Sequence, residues 1–178
     1  MSNKEIALEV GCGYSPMIFE LRSDLVKEGA ALFCADLNIR DLSGIKDIRK
    51  SFGTELIPIC SDARDLPFEN GSVGIVFAKD LVGFPGRWSE FSGFLPPNFT
   101  LDELAKECNR VLKPSGRLII LETATPPDIG YIKIIFVKAG FKLLEENRGS
   151  NFAYRIFEFG REGKVKASKY AYSLVFGK

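Results

Sequence analysis

The chain has 178 residues, 46% of them hydrophobic, a formal net charge of +1, and no histidine. Those figures suit one domain over 1–178 whose core carries a full sheet covered by helices. They exclude a basic nucleic-acid block, because Lys and Arg are interspersed with Asp and Glu, and a membrane span, because charge interrupts each apolar run short of the ~20 residues required.

Taken in chain order, the start MSNKEIALEV lacks the basic-then-apolar layout of a secretory signal, so the expected compartment is the cytoplasm. Residues 5–11 (EIALEVG) predict a strand, CGYS a tight loop, and residues 16–28 a helix with Ser15 as cap and Pro16 at its first position. Residues 31–37 predict a second buried strand, DLSGIKDIRKSF a second helix, and residues 55–62 a third strand. After the turn-rich PFENGS, residues 73–80 (VGIVFAKD) form a continuous apolar run, which fits a strand buried on both faces.

Residues 83–99 are crowded with Gly, Pro and aromatic side chains and resist regular assignment. Helix returns in TLDELAKECNRVLK, where Thr100 and Glu103 have capping-box spacing. KPSG ends it before a fifth strand over residues 117–123. DIGYIKIIFVKAG predicts a last helix, and FKLLEEN, FAYRIFEFG and KYAYSLVFG are three further β-like runs. Strands alternating with helices imply an α/β fold, a mainly parallel sheet with right-handed crossovers and helices on both faces. A ligand then belongs outside the carboxyl ends of the strands, where strand order reverses.

The four cysteines (Cys12, Cys34, Cys60, Cys108) form no Cys-x-x-Cys pair, and without histidine no metal site is expected. Apolar packing is their expected role. The chemistry concentrates in Glu9-Val10-Gly11-Cys12-Gly13-Tyr14-Ser15, between the first strand and the helix after it. Its glycines let the chain turn sharply and let backbone amides approach a ligand. A dinucleotide fingerprint would need glycine where Pro16 stands, and a phosphate loop would need a Gly-Lys-Ser/Thr ending.

This segment resembles the first motif of class I S-adenosylmethionine-dependent methyltransferases, and the chain is similar to the small, type 11-like domains of that superfamily. FCADLN, ICSDARDLPFENGSV, VGIVFAKD and ECNRVLKPSGRLIILE agree with the family in order and spacing over roughly residues 5–123. The resemblance implies a Rossmann-like, doubly wound, three-layer α/β/α fold with an antiparallel C-terminal edge. It implies S-adenosylmethionine as cofactor and methyl transfer as the activity. It places Glu9, Gly11, Cys12, Gly13, Asp36, Leu37, Asp62, Ala63 and Lys79 around that cofactor. Asp36 would grip the ribose hydroxyls, as a bidentate carboxylate suits a diol. Asp62 would accept from the adenine amine, with the Ala63 amide meeting the ring. Each carboxylate also has a structural alternative: Glu9 bonded to loop amides, Asp36 capping the next helix, Asp62 forming a turn.

Two features depart from the family pattern: Ser15 stands where many members have another glycine, and the fourth strand ends in Ala78-Lys79-Asp80, without an Asn/Asp-Pro-Pro-Tyr/Phe sequence. The second departure argues against amine methylation of a base or of glutamine. A small-molecule or protein acceptor is therefore expected before a nucleic acid. Asp80 and Glu122, at strand ends facing one rim, are the candidates for a base. The 83–99 loop is a candidate acceptor lid or protein-contact surface. The alternative is a non-catalytic, methyltransferase-like partner subunit that binds cofactor or a protein.

Overall fold

Strands of five to eleven residues build one seven-stranded sheet in the computed structural model, the central ones from apolar runs. The structure describes residues 5–13, 18, 29–38, 56–79, 81, 100–122, 129–148 and 172–178. Strands β1 (Ile6–Val10), β2 (Ala31–Asp36), β3 (Leu56–Cys60), β4 (Val73–Lys79) and β5 (Leu112–Glu122) pair in parallel. β6 (Lys142–Arg148) and β7 (Tyr172–Gly177) complete the sheet antiparallel, in the order β3-β2-β1-β4-β5-β7-β6. The fold is the expected mainly parallel, Rossmann-like sheet with an antiparallel edge. The chain runs outward from β1 to β3, then returns to place β4 on the other side of β1. That reversal puts the switch point between the carboxyl ends of β1 and β4.

Alternating side chains divide the core into two layers. Leu8 and Val10, Val76 and Ala78, Leu118 and Ile120, and Leu174 and Phe176 share one face with helices α1 (Leu101–Val111) and α2 (Ile129–Lys138). Ala7, Ile75, Phe77, Ile119, Leu121 and Val175 share the other with Ile18. β4 is buried along Val73–Ala78, as its continuous apolar sequence predicts. Under α2, Phe136 stacks on Phe176 with ring centroids 5.3 Å apart, a geometry worth about 1 kcal/mol beyond its buried area.

Thr100 caps α1 as its spacing predicts, its hydroxyl accepting from the Glu103 amide at 3.3 Å. β5 begins earlier than expected, at Leu112, because KPSG is absorbed into the strand as an irregularity. Val73 pairs with Leu112 and Ile75 with Arg117, so the residues between bulge out of register. Of the three C-terminal β-like runs, the first and last are β6 and β7. FAYRIFEFG lies outside the described residues, as do the 83–99 loop, the helix predicted from DLSGIKDIRKSF and, except for Ile18, the helix predicted over 16–28. Among the described residues no helix is long and apolar enough to cross a membrane.

Candidate cofactor site

The carboxyl ends of five parallel strands line up along one edge of the sheet, and the expected site residues lie on it. Glu9 is the penultimate residue of β1, Asp36 ends β2, Asp62 and Ala63 follow β3, Lys79 ends β4 and Glu122 ends β5. Asp80 lies outside the described residues.

The glycine loop is tied to β2 twice by its backbone: Gly11 and Cys12 both donate to the Ala35 carbonyl, at 2.9 and 3.3 Å. Gly11 and Gly13 adopt φ of +66° and +53°, left-handed values that glycine reaches without strain. A Cβ on Gly11 would meet Leu81 Cδ1 at 3.0 Å, whereas one on Gly13 would meet no described atom within 4 Å. Among the described residues, the space beside Gly13 is open to a close-approaching ligand.

Asp36 joins the two motifs. Its Oδ2 accepts the Gly13 amide at 2.8 Å and its Oδ1 the Asn38 amide at 2.8 Å. A carboxylate offers about four lone-pair positions, so about two remain, the number a ribose diol needs. Leu37, next in sequence, is 41% exposed, an apolar side chain presented at the same edge. Glu9 is fully buried, and its Oε2 accepts the amide of Ile18, a helical residue, at 2.7 Å. The structural alternative for Glu9 is a bond to loop amides; the main-chain amide it receives belongs instead to helical Ile18. A buried carboxylate is stabilised by the main-chain amide it receives.

Asp62 is held within its own turn. The Arg64 amide donates to Oδ1 at 2.9 Å and the Arg64 guanidinium closes on both oxygens, its Nη2 at 2.8 Å from Oδ2. The hydrogen-bonded guanidinium outweighs partial burial and keeps the Asp62 carboxyl below its ordinary range. The rest of the β3–β4 connection is held by α1. Buried Glu107 accepts the Leu66 amide at 2.7 Å, while Arg110 donates to the carbonyls of Leu66 and Phe68 at 2.9 and 2.8 Å. Arg110 also pairs with Glu107 at 2.6 Å. Ala63 packs against the core layer beneath.

The sequence reading missed Arg64, Glu107 and Arg110. An acid and an arginine three apart on one helix, as in ECNR, was the available signal, but its partners lie about 40 positions away.

Cys12 and Cys108 are not nucleophilic thiols. A hydrogen bond with the Cys34 thiol and then burial push Cys12 far above its ordinary value, with Glu9 and Asp36 adding to the effect. Burial, with Glu107 nearby, pushes Cys108 up to about 12. Cys60 departs from the expected apolar packing: it sits exposed on the outermost parallel strand, its thiol donating to the Leu37 carbonyl at 3.6 Å. Among the described residues no group of three or more Cys, Asp or Glu is placed to hold a metal ion.

Sheet order, a glycine loop at the switch point and an acid at the end of β2 define a class I S-adenosylmethionine-dependent methyltransferase fold. The sequence model of the methyltransferase domain family matches residues 8–120, and the chain belongs to that family. S-adenosylmethionine is the cofactor that the resemblance implies. The lining fits: a glycine loop that leaves room for close approach, an Asp with spare acceptor positions beside it, and an exposed apolar side chain next in sequence to that Asp.

An S-adenosylmethionine-dependent methyltransferase from Aquifex aeolicus superposes with a TM-score of 0.65 at 16% identity, over 98% of this chain and 84% of that one. The cyclase SpnF gives 0.65 at 16%, over 98% and 74%. A geranyl diphosphate C-methyltransferase from Streptomyces coelicolor A3(2), in complex with Mg2+, geranyl diphosphate and S-adenosylhomocysteine, gives 0.61 at 14%, over 99% and 74%. Identities this low show a shared fold, and a cyclase among the matches shows that the fold alone does not fix the reaction. No curated protein matches the chain by sequence.

Proposed function

We propose that this domain transfers a methyl group from S-adenosylmethionine to a small-molecule or protein acceptor. The observation that carries the proposal is the Asp36–Gly13 bond, which joins the end of β2 to the glycine loop at the switch point. In this reading the Gly11-Cys12-Gly13 loop, its own amides held by Ala35 and Asp36, lets the methionine portion approach the backbone closely, Glu9 balances its ammonium, and Asp36 takes the ribose hydroxyls. Leu37 covers the adenine face, Asp62 and Ala63 meet the adenine edge, and Lys79 flanks the rim.

The sulfonium of the cofactor supplies an already activated methyl group. What remains for the protein is alignment of the acceptor in line with that methyl and exclusion of water. An acceptor that must lose a proton needs a carboxylate on the same rim. Asp80 and Glu122 are the two proposed for that role, Glu122 being buried at the end of β5. The 83–99 loop is proposed as the acceptor-side cover.

The test has two parts. Calorimetry with S-adenosylhomocysteine measures cofactor binding. Methyl-labelled S-adenosylmethionine, incubated with a cell extract split into small-molecule and protein fractions, locates the acceptor. Label in either fraction, lost on Asp36→Ala, supports the proposal. Binding without transfer to either fraction would replace it with the non-catalytic partner subunit.

A further inference from the structure

Arg64 makes more contacts than a turn residue needs. Its backbone amide donates to Asp62 Oδ1 at 2.9 Å, its Nε lies 3.1 Å from both carboxylate oxygens, and its Nη2 donates to Oδ2 at 2.8 Å. From the far side of the same guanidinium, Nη1 reaches Glu103 Oε2 at 3.4 Å, 39 positions on in the first turn of α1. That Glu103 oxygen also accepts the Thr100 hydroxyl at 2.9 Å. One planar cation is therefore fixed at two points, by the β3–β4 turn and by a capped helix start.

A guanidinium held this way imposes its plane on the carboxylate it faces. The lone pairs can then be counted. Asp62 offers about four acceptor positions, and three Arg64 N–H groups, the Nε–H shared between both oxygens, take about three of them. About one remains, in a direction set by Arg64. A single remaining acceptor suits a single donor N–H and repels a carbonyl oxygen in the same place.

We propose that Arg64 is a positioning residue that orients Asp62 so that its last acceptor position selects a 6-amino purine over a 6-oxo purine in the cofactor. The proposal rests on the reading that Asp62 faces the adenine edge. Arg64 itself touches no base; it acts through the carboxylate. Surface ion pairs seldom stabilise a fold appreciably, so removal of Arg64 alters base selection more than stability.

The test compares calorimetric binding of S-adenosylhomocysteine and S-inosylhomocysteine, which differ at the purine 6-position, with thermal denaturation to confirm folding. The wild-type chain is expected to prefer the adenine ligand by about 100-fold. Arg64→Gln is expected to weaken the adenine ligand about tenfold and the inosine ligand much less, so the preference narrows. Arg64→Lys, which keeps the charge and loses the fork, should fall between the two and serves if Arg64→Gln does not fold. Asp62→Asn should narrow the preference by itself, and adding Arg64→Gln to it should change nothing further.

Equal weakening of both ligands in the Arg64 variants would mark a merely structural role and overturn the proposal, as would unchanged binding. If wild type shows no preference, or Asp62→Asn leaves it intact, the assignment of Asp62 to adenine fails and this proposal with it. If Asp62→Asn narrows the preference and the Arg64 variants do not, only the role of Arg64 fails.

Discussion

Asp36 and Gly13, 23 positions apart, meet in a 2.8 Å hydrogen bond from the glycine amide to the carboxylate. The bond makes the acid at the end of β2 both a fastener of the loop and a candidate ligand group. Asp36→Asn removes the charge while its amide oxygen can still accept one of the two main-chain N–H groups. Affinity for S-adenosylhomocysteine is expected to fall about 10- to 100-fold, the cost of losing charge-assisted bonds. Calorimetry measures it, and unchanged affinity would remove Asp36 from the site.

Glu9→Gln separates two roles of a buried side chain. Glutamine can still accept the Ile18 amide that Glu9 receives at 2.7 Å, so folding should survive. The charge proposed to face a cationic amino-acid tail would be gone, and affinity is expected to drop about tenfold. A melting temperature and an affinity both equal to wild type would leave Glu9 as a loop anchor alone.

Gly11→Ala and Gly13→Ala should differ in kind. Each places alanine at positive φ, which costs about 1 kcal/mol. Only Gly11→Ala also presses a methyl onto Leu81, at 3.0 Å, so it should be the less stable of the two. Gly13→Ala should keep most of its stability and lose cofactor affinity, because the new methyl fills space beside the loop. Denaturant unfolding paired with calorimetry distinguishes these outcomes; a Gly13→Ala chain with native affinity contradicts the close approach.

Glu107 gives the expected pH dependence. Burial alone would raise its carboxyl, but the Arg110 guanidinium and the Leu66 amide outweigh burial and bring it below the ordinary 4.5. A carboxyl depressed in the folded state contributes its stability above the unfolded value and loses it as pH falls through the folded one. Stability should therefore decline below about pH 4.5, and Glu107→Gln should flatten that decline. At neutral pH Glu107→Ala should cost about 3 kcal/mol, since Arg110 and the Leu66 amide lose a buried partner. A denaturation series across pH checks both, and a cost under about 1 kcal/mol would mean that water replaces the carboxylate.

What the sequence determined is what a short window of chain can encode. The run VGIVFAK has to be a strand buried on both faces, Gly11 and Gly13 have to sit where the backbone turns left-handed, and Thr100 has to cap the helix it precedes. Periodicity, backbone sterics and capping act over a few residues, so these features, and from their order the parallel sheet and its switch point, were legible without coordinates.

Tertiary structure decided which distant groups meet. β7 inserts between β5 and β6, Cys60 is exposed because its strand is the outermost of the parallel set, and Glu107 and Arg110 clasp a turn some 40 positions earlier. It also decided how much of each carboxylate is already spent: Asp36 gives about half its acceptor capacity to main-chain amides, Asp62 about three quarters to Arg64. No local pattern carries that information, because a hydrogen bond across 40 residues exists only once the sheet and helix faces between its partners have packed and the connecting loops have closed.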